Sequence, residues 1–177
     1  MGLVETHEKY RKMDWGEGVD LLSVMREQAD QKGGGILLMK EKGGCTWEKT
    51  KSECNDILNA KLNLGKVSIY IMLVYMDVKD KERNKSIYEK LNMGMEGAMN
   101  SELPVMVMGD FNGHAGFLGN QELNYNGTKM LEFMEKWNLI LMNCDTNCSG
   151  TFTRIERDAK SVIDYIMIND RMYGLYE

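Results

Sequence analysis

Residues 103–116 read Leu-Pro-Val-Met-Val-Met-Gly-Asp-Phe-Asn-Gly-His-Ala-Gly, and this stretch decides the fold prediction. The apolar run 105–108 lies between a proline and a glycine, as expected of a buried strand. Asp110 and Asn112 follow it, two residues apart. If the backbone stays extended, the two-residue period places both side chains on one face. A carboxylate and an amide at the end of a sheet suit a hard cation and a phosphate better than a hydrophobic core.

Length and charge limit the function classes. The chain has 177 residues and a formal net charge of -5. This length predicts a single domain over residues 1–177. This negative net charge does not indicate the basic surface that tight non-specific DNA binding requires. A metal-dependent nuclease stays open, because bound divalent cations supply positive charge locally.

The lack of a recognisable secretory signal and the cysteine usage predict an intracellular protein, nuclear or cytoplasmic, that is not secreted. No apolar stretch approaches the roughly 20 residues that span a bilayer, and no basic region followed by an apolar one opens the chain. The four cysteines lack C-x-x-C spacing, which favours reduced thiols over a zinc site. We expect no membrane association, no obligate protein partner and a monomer.

The periodicity predicts strands interspersed with two or three helices. Val67–Tyr75 is rich in β-branched and aromatic residues and is predicted as a strand. Further strands are expected at 3–4, 36–39, 45–50, 53–59, 139–142, 151–153 and 162–168. Helices are expected from the charged segment 77–85 to about residue 99, at 130–137 after Asn126-Gly127, and as a short helix at 21–28. This order is typical of mixed sheets covered by helices.

Polar residues follow several of these predicted strands. Glu5 follows the first strand, Tyr75 closes another, and Thr-Phe-Thr at 151–153 precedes Ser-Val-Ile-Asp-Tyr at 161–165. Together with Gly-Asp-Phe-Asn at 109–112, these motifs resemble the endonuclease/exonuclease/phosphatase superfamily. The nearest resemblance is to the apurinic-type endonuclease domains of non-LTR retrotransposons. The resemblance implies a DNase-I-like fold, a two-sheet α/β sandwich of mixed strands flanked by helices.

The resemblance also implies roles for the polar residues. Glu5 would be the principal Mg²⁺ ligand, with Mn²⁺ as an alternative ion, and Tyr75 would contact the scissile phosphate. Asp110 would orient or activate the attacking water, and Asn112 would bind a phosphate oxygen or the metal. These roles agree with the preference of Mg²⁺ for a few oxygen ligands completed by water and substrate phosphate.

Three further positions carry roles implied by the resemblance. Asn126 would match an asparagine that lines the substrate groove. Asp164 would be the carboxylate of the Ser-x-Ile-Asp motif that supports the site from an opposing strand, with Thr153 or Thr151 beside it. DNA would be the ancestral substrate, and the product would be a nicked phosphodiester.

Two departures from the family pattern lead us to expect an incomplete domain. The final Ser-Asp-His motif of the family does not occur before Glu177, and the first strand with its asparagine does not occur after Met1. Neither His7 nor His114 stands where the family histidine belongs. Because losing one transition-state donor costs on the order of 100- to 1,000-fold in rate, we expect weak or lost activity.

Simpler explanations remain for individual residues. Asp110 and Asn112 are residue types that cap turns, and Glu5 alone would be an ordinary surface carboxylate. Two other functions are also compatible with the motifs: a phosphatase of the same superfamily, and a non-catalytic remnant of the domain.

Overall fold

The structure is a computed structural model that describes residues 2–3, 19–25, 35–41, 43–52, 54–118, 122–147, 152–156 and 159–176. The strands in chain order are β1 (Gly2–Leu3), β2 (Val19–Met25), β3 (Gly35–Glu41), β4 (Thr46–Lys49), β5 (Ile57–Leu64), β6 (Val67–Tyr75), β7 (Val105–Asp110), β8 (Ile140–Leu141), β9 (Arg154–Glu156), β10 (Ala159–Ser161) and β11 (Asp164–Ile168). The α-helices are α1 (Lys81–Asn100), α2 (Tyr125–Trp137) and α3 (Asp170–Tyr176), and a 3-10 turn covers Met142–Cys144.

A mixed sheet of six strands forms the main layer, in the order β4-β5-β6-β7-β11-β8. The β6–β7 pair is parallel, and α1 makes the crossover between these two strands. All other pairs in this sheet are antiparallel. The predicted strand Val67–Tyr75 is confirmed with the same bounds. The prediction of mixed sheets covered by helices is also confirmed.

The second sheet corrects one prediction. Its order is β1-β3-β2 with antiparallel pairs throughout. The short helix expected at 21–28 is wrong for residues 21–25, because Val19–Met25 forms β2 and pairs with β3 over seven residues. Residues 26–28 lie outside the described residues. Leu22 is half-buried, Ser23 exposed and Val24 buried, so this segment follows the two-residue period of a strand.

Two hydrophobic clusters lie on opposite faces of the main sheet. On one face, Met72 and Val74 of β6 pack with Ile87, Leu91 and other residues of α1 and α2. On the other face, the side chains packed between the two sheets come from β2, β3, β5 and β6, namely Val24, Ile36, Leu38, Leu58, Ala60, Ile69, Ile71, Leu73 and Tyr75. Alternation along β6 therefore sends its odd-numbered residues toward the second sheet and its even-numbered residues toward the helices.

Both long helices begin at side-chain caps. The Asp80 carboxylate accepts from the backbone N–H of Arg83 at α1, and the Asn124 amide accepts from the N–H of Gly127 at α2. The α1 prediction is confirmed, with its first residue at Lys81. The segment at 130–137 is confirmed as helix, which begins earlier than predicted, at Tyr125.

Two predicted strands near the C-terminal part of the sheet are shorter or displaced. Of the strand expected at 139–142, only Ile140–Leu141 is extended, since Met142–Cys144 turns into a 3-10 helix. Phe152 and Thr153 lie outside any strand, and the extended residues begin at Arg154. β9 and β10 pair with each other as a separate antiparallel hairpin. No helix within the described ranges is long and apolar enough to cross a bilayer.

Candidate active site

Three of the predicted site residues occupy matching positions on neighbouring strands. Tyr75 ends β6, Asp110 ends β7, and Asp164 begins β11. Asp110 is the register partner of Tyr75 in the parallel pair and of Asp164 in the antiparallel pair. Because register partners project from the same face, their side chains share the face that β6 turns toward the second sheet. The pairing thus forms a row of one phenol and two carboxylates at one end of the sheet.

Gly109 makes the approach of the strands at this row possible. Its φ is +143°, and a Cβ atom at this position would lie 1.9 Å from the backbone oxygen of Val74. No other residue type has room there, because the obstacle is backbone and the conformation disfavours side chains. The glycine of the Gly-Asp-Phe-Asn motif therefore allows β7 to approach β6 closely enough to place Asp110 beside the end of β6.

The chain turns sharply after Asp110, which corrects the expectation that Asp110 and Asn112 follow one extended face. Asn112 has φ of 44°, in the left-handed region, so the two-residue period ends with the strand. The Asp110 carboxylate accepts from the Asn112 N–H at 2.8 Å, which is the local bond of an Asx turn. Both residues are buried, at 7% and 8% exposure. The turn thus brings them together without strand alternation.

Buried amides hold this turn in place. The Asn112 side chain donates to the carbonyl of Met76 at 2.8 Å. Asn126, at the start of α2, donates to the carbonyls of Asp77 at 3.0 Å and of Asn112 at 3.4 Å. Asn84 of α1 donates in turn to the Asn126 amide oxygen at 2.9 Å and exchanges two bonds with the backbone of Asp77. We call these three side chains the asparagine network.

Asn84 is a member that sequence reasoning missed. It is 1% exposed and lies on the buried face of α1 with Ile87, Tyr88, Leu91 and Met95. A polar residue on the apolar stripe of an amphipathic helix was the signal available in the sequence, since such a residue needs a buried partner.

The N-terminus of α2 is in direct contact with the turn. The Asn124 amide accepts from the backbone N–H of His114 at 2.9 Å and donates to the carbonyl of Asn112 at 3.0 Å. A Cβ atom on Gly127 would lie 1.9 Å from the His114 backbone oxygen. The helix and the turn therefore pack backbone to backbone, which explains the glycine that follows Asn126.

The β11 side of the site is held by hydroxyl and amide groups. The Thr153 hydroxyl accepts from the backbone N–H groups of Ile163 and Asp164, at 3.0 and 3.1 Å. The structure thus places Thr153 beside Asp164. Tyr165 is buried, and its hydroxyl lies 2.8 Å from the carbonyl of Gly113 and 2.9 Å from that of Val162. Burial raises the pKa of Tyr165 to about 12, so this phenol stays neutral at physiological pH.

The remaining predicted positions divide into two groups. Glu5, His7 and Thr151 lie outside the described residues. His114 is half-buried next to the turn, and its pKa is lowered, first by burial and then by the charge of Arg154. A lowered pKa keeps the imidazole neutral near pH 7.

The donor set near the row of Tyr75, Asp110 and Asp164 is chemically suited to Mg²⁺. Two carboxylates and a neighbouring amide supply oxygen ligands, and Mg²⁺ uses one or two carboxylates together with water and phosphate. Among the described residues, no group of three or more histidine, cysteine, aspartate or glutamate side chains is positioned to hold a metal ion.

The sandwich of two β-sheets with this row of polar residues at one end defines a DNase-I-like α/β protein. A model of the family described as endonuclease-reverse transcriptase matches residues 69–174, more than half of the chain. The chain therefore belongs to this family, within the endonuclease/exonuclease/phosphatase superfamily. The family resemblance and the fold class expected from the sequence are both confirmed. No curated protein matches the chain by sequence.

Solved structures share the fold at low sequence identity. The endonuclease domain of TRAS1, a telomere-specific non-LTR retrotransposon, aligns at a TM-score of 0.71 and 15% identity, over 90% of this chain and 71% of that domain. The human Nocturnin catalytic domain aligns at a TM-score of 0.60 and 12% identity, over 96% of this chain and 68% of that domain. A mannosyl-6-phosphatase of Bacteroides thetaiotaomicron aligns at a TM-score of 0.56 and 17% identity, over 87% of this chain and 64% of that protein.

Proposed function

We propose that this chain is a Mg²⁺-dependent phosphodiesterase that nicks DNA with weak activity. The observation that carries the proposal is the alignment of Tyr75, Asp110 and Asp164 across three neighbouring strands, next to the buried Asn112. Glu5 is proposed as the principal metal ligand, together with Asp110 and Asn112, and Mn²⁺ as an alternative ion. A bound divalent cation would neutralise charge on the phosphoryl oxygens.

Each protein group has a task that its position supports. Asp110 takes the proton from the attacking water or orients that water, since its carboxylate is fixed by the Asn112 N–H. The phenol of Tyr75 contacts the scissile phosphate from the end of β6. Asn112 has one amide hydrogen engaged by Met76 and binds a phosphate oxygen or the metal through the rest of its side chain. Asp164 supports Asp110 from β11.

DNA is the proposed substrate class. The family description names an endonuclease, and the TRAS1 relative is an endonuclease domain. The chain would act as a monomer, in the nucleus or the cytoplasm. Since the net charge is -5, attraction of the phosphate backbone would depend on the bound cation.

The test is nicking of supercoiled plasmid by the full chain with and without Mg²⁺. The Asp110→Asn variant keeps the size of the side chain and removes its basicity, so we expect a loss on the order of 100- to 10,000-fold. Asp170→Asn, an exposed carboxylate at the start of α3, is the matched control and should nick as the wild type does. Cleavage that survives Asp110→Asn, or a folded wild type with no nicking above this variant, would refute the proposal.

Glu5→Gln separates metal binding from proton transfer. If Glu5 is the principal ligand, the variant should need a higher Mg²⁺ concentration for half-maximal nicking and should approach the wild-type rate at saturating Mg²⁺. Asp110→Asn removes both a proposed ligand and the proposed base, so its rate should stay low at saturating Mg²⁺. An unchanged Mg²⁺ dependence in Glu5→Gln would remove that residue from the metal site.

A phosphatase activity is the second candidate, because the mannosyl-6-phosphatase neighbour shares the fold. Release of inorganic phosphate from mannose 6-phosphate, measured beside plasmid nicking in the same protein preparation, distinguishes the two. Phosphate release that is lost in Asp110→Asn, without nicking, would assign the site to phosphomonoesters.

A further inference from the structure

An ion pair joins the first turn of α1 to the turn that precedes β5. Arg83 donates from Nε to one carboxylate oxygen of Asp56 at 2.9 Å and from Nη2 to the other at 2.8 Å. The Asp56 side chain is 8% exposed and that of Arg83 is 28% exposed. Because the guanidinium is planar and rigid, pairing at two points fixes the direction of the carboxylate as well as its distance. Arg83 therefore holds Asp56 in one orientation.

Asp56 is bonded in turn to the last residue of β6. Its backbone carbonyl accepts from the N–H of Tyr75 at 3.0 Å, which continues the antiparallel register of β5 and β6 by one position. The next N–H along the chain, that of Met76, donates across the other edge of β6 to the carbonyl of Asp110 at 2.8 Å. The end of β6 is therefore held between Asp56 on one side and Asp110 on the other.

The main chain of Arg83 is anchored as well as its side chain. Its N–H donates to the Asp80 carboxylate that caps α1, at 2.9 Å, and the N–H of Asp80 donates to the Asp77 carboxylate at 3.0 Å. The next residue, Asn84, exchanges two bonds with the backbone of Asp77. Because the helix end is fixed in this way, the pairing with Asp56 limits the movement of Asp56 relative to the first turn of α1.

Stability alone does not explain an ion pair at this place. Replacing a buried ion pair by apolar residues of similar volume is often neutral or stabilising, because both ions lose hydration on burial. What the two-point pairing adds is a fixed geometry at the end of β6, where Tyr75 and Asp110 are register partners. A displacement of about 1 Å at a reacting group can cost on the order of 100-fold in rate. A fixed end of β6 is therefore an advantage for catalysis.

We propose that Arg83 is a positioning residue for Tyr75 and acts through Asp56. The inference rests on the proposed function, in which the phenol of Tyr75 contacts the scissile phosphate. The guanidinium fixes Asp56, the Asp56 carbonyl fixes the N–H of Tyr75, and the phenol extends from a backbone held on both edges. Arg83 itself does not contact the substrate.

Amide hydrogen exchange, followed by NMR on the full chain, tests this coupling without any need for activity. Arg83→Met keeps an apolar stem and removes the guanidinium, and Lys85→Met makes the same change of charge at an exposed residue of the same helix. We expect the Tyr75 N–H to exchange faster by about tenfold or more in Arg83→Met, and at the wild-type rate in Lys85→Met.

The N–H of Leu73, two residues earlier in β6, is the internal reference, because a general loss of stability accelerates both amides. Arg83→Lys keeps the charge but not the planar fork, and it should give a smaller acceleration at Tyr75 if Arg83→Met does not fold. Equal acceleration of Tyr75 and Leu73, or an unchanged rate at Tyr75, would overturn the proposal.

A double-mutant cycle with Tyr75→Phe tests the consequence for nicking. At saturating Mg²⁺, Arg83→Met should lower kcat by about tenfold or more with little change in KM, whereas Lys85→Met should leave both unchanged. In the Tyr75→Phe background, the further loss from Arg83→Met should be less than about threefold, because the phenol through which Arg83 acts is absent. Losses that multiply would show that Arg83 acts on the substrate directly and would overturn the proposal.

The two experiments separate this inference from the proposed function. A folded wild type that does not nick DNA would refute the proposed function. The exchange rates of Tyr75 and Leu73 would still decide whether Arg83 fixes the position of Tyr75.

Discussion

Buried asparagine side chains have different environments beside the two halves of α1. Near its first turns, Asn84 belongs to the asparagine network with Asn112 and Asn126, in which amides and backbone carbonyls are paired over the candidate active site. Beside its second half, Asn59 of β5 keeps a buried amide oxygen that has no hydrogen-bond partner among the described residues. A paired buried amide fixes the conformation of its neighbours, whereas an unpaired one loses its hydration without a compensating bond and lowers stability.

The same contrast applies to glycine. Gly109 and Gly127, around the candidate active site, stand where a Cβ atom would overlap a backbone oxygen at 1.9 Å. Gly97, in the second half of α1, faces open space. The glycines around the candidate active site are therefore required by close backbone packing, whereas Gly97 has free volume beside it. The glycines around the candidate active site should therefore tolerate substitution far less than Gly97 in the second half of α1.

The largest expected effect comes from Asn126→Leu. The substitution removes the hydrogen bonds to Asn84, Asp77 and Asn112 and leaves one amide hydrogen of the buried Asn84 without its acceptor. At about 1 kcal/mol for each lost bond and about 1–3 kcal/mol for the unsatisfied hydrogen, we expect the free energy of unfolding to fall by roughly 3–5 kcal/mol. Urea denaturation followed by circular dichroism measures the change. Asn100→Leu, at the exposed last residue of α1, is the control, and an equal loss in both variants would contradict the network.

Gly127→Ala should rank next. The added methyl meets the backbone oxygen of His114, so α2 or the turn has to shift, at a cost of about 3 kcal/mol. Gly97→Ala is the matched change in the second half of α1, and it should raise the free energy of unfolding by up to about 1 kcal/mol, because alanine is the better helix former. Both are measured by thermal and urea unfolding. Destabilisation of similar size in the two variants would disprove the contrast between the halves.

An alkaline titration tests the packing beneath the turn. Because the pKa of buried Tyr165 is about 12 against an ordinary value of 10.0, the unfolded chain releases this proton at lower pH than the folded protein. Stability is therefore fully present below pH 10 and falls as pH rises from 10 to 12, by up to about 3 kcal/mol. Tyr165→Phe should lose this part of the pH dependence, whereas Tyr125→Phe should keep it. Parallel slopes for the two variants would argue against a buried neutral phenol at residue 165.

The smallest expected effect is that of Asn59→Leu on stability. An unpaired amide oxygen is replaced by an apolar group of similar shape, while one long hydrogen bond of 3.3 Å to Lys51 is lost. We expect a change between about zero and 1 kcal/mol in favour of the folded state. A loss comparable to that of Asn126→Leu, measured in the same urea series, would show that the Asn59 oxygen has a structural partner.

Much of the central sheet was predictable because local patterns and tertiary pairing agree there. Val67–Tyr75 has its predicted bounds, and the run before Gly109 forms β7. The helix prediction for the segment at 21–28 was wrong because an apolar pattern of that length is compatible with a helix or a strand. Pairing of residues 21–25 with β3 decides for the strand. The strand expected at 151–153 failed for a related reason, since the hairpin that extends the backbone starts at Arg154.

The sequence by itself determined the family motifs, the order of the main elements, and the candidates Tyr75, Asp110, Asn112 and Asp164. The roles of these residues, and of Glu5, remain predictions. Only the tertiary structure decided that Tyr75, Asp110 and Asp164 are register partners, that Asn112 joins them through a left-handed turn, and that Asn84 supports that turn from α1. The physical reason is range: motifs and periodicity report contacts within a few residues, whereas strand register and buried amide pairing link residues 14 to 54 positions apart and depend on how the whole chain packs.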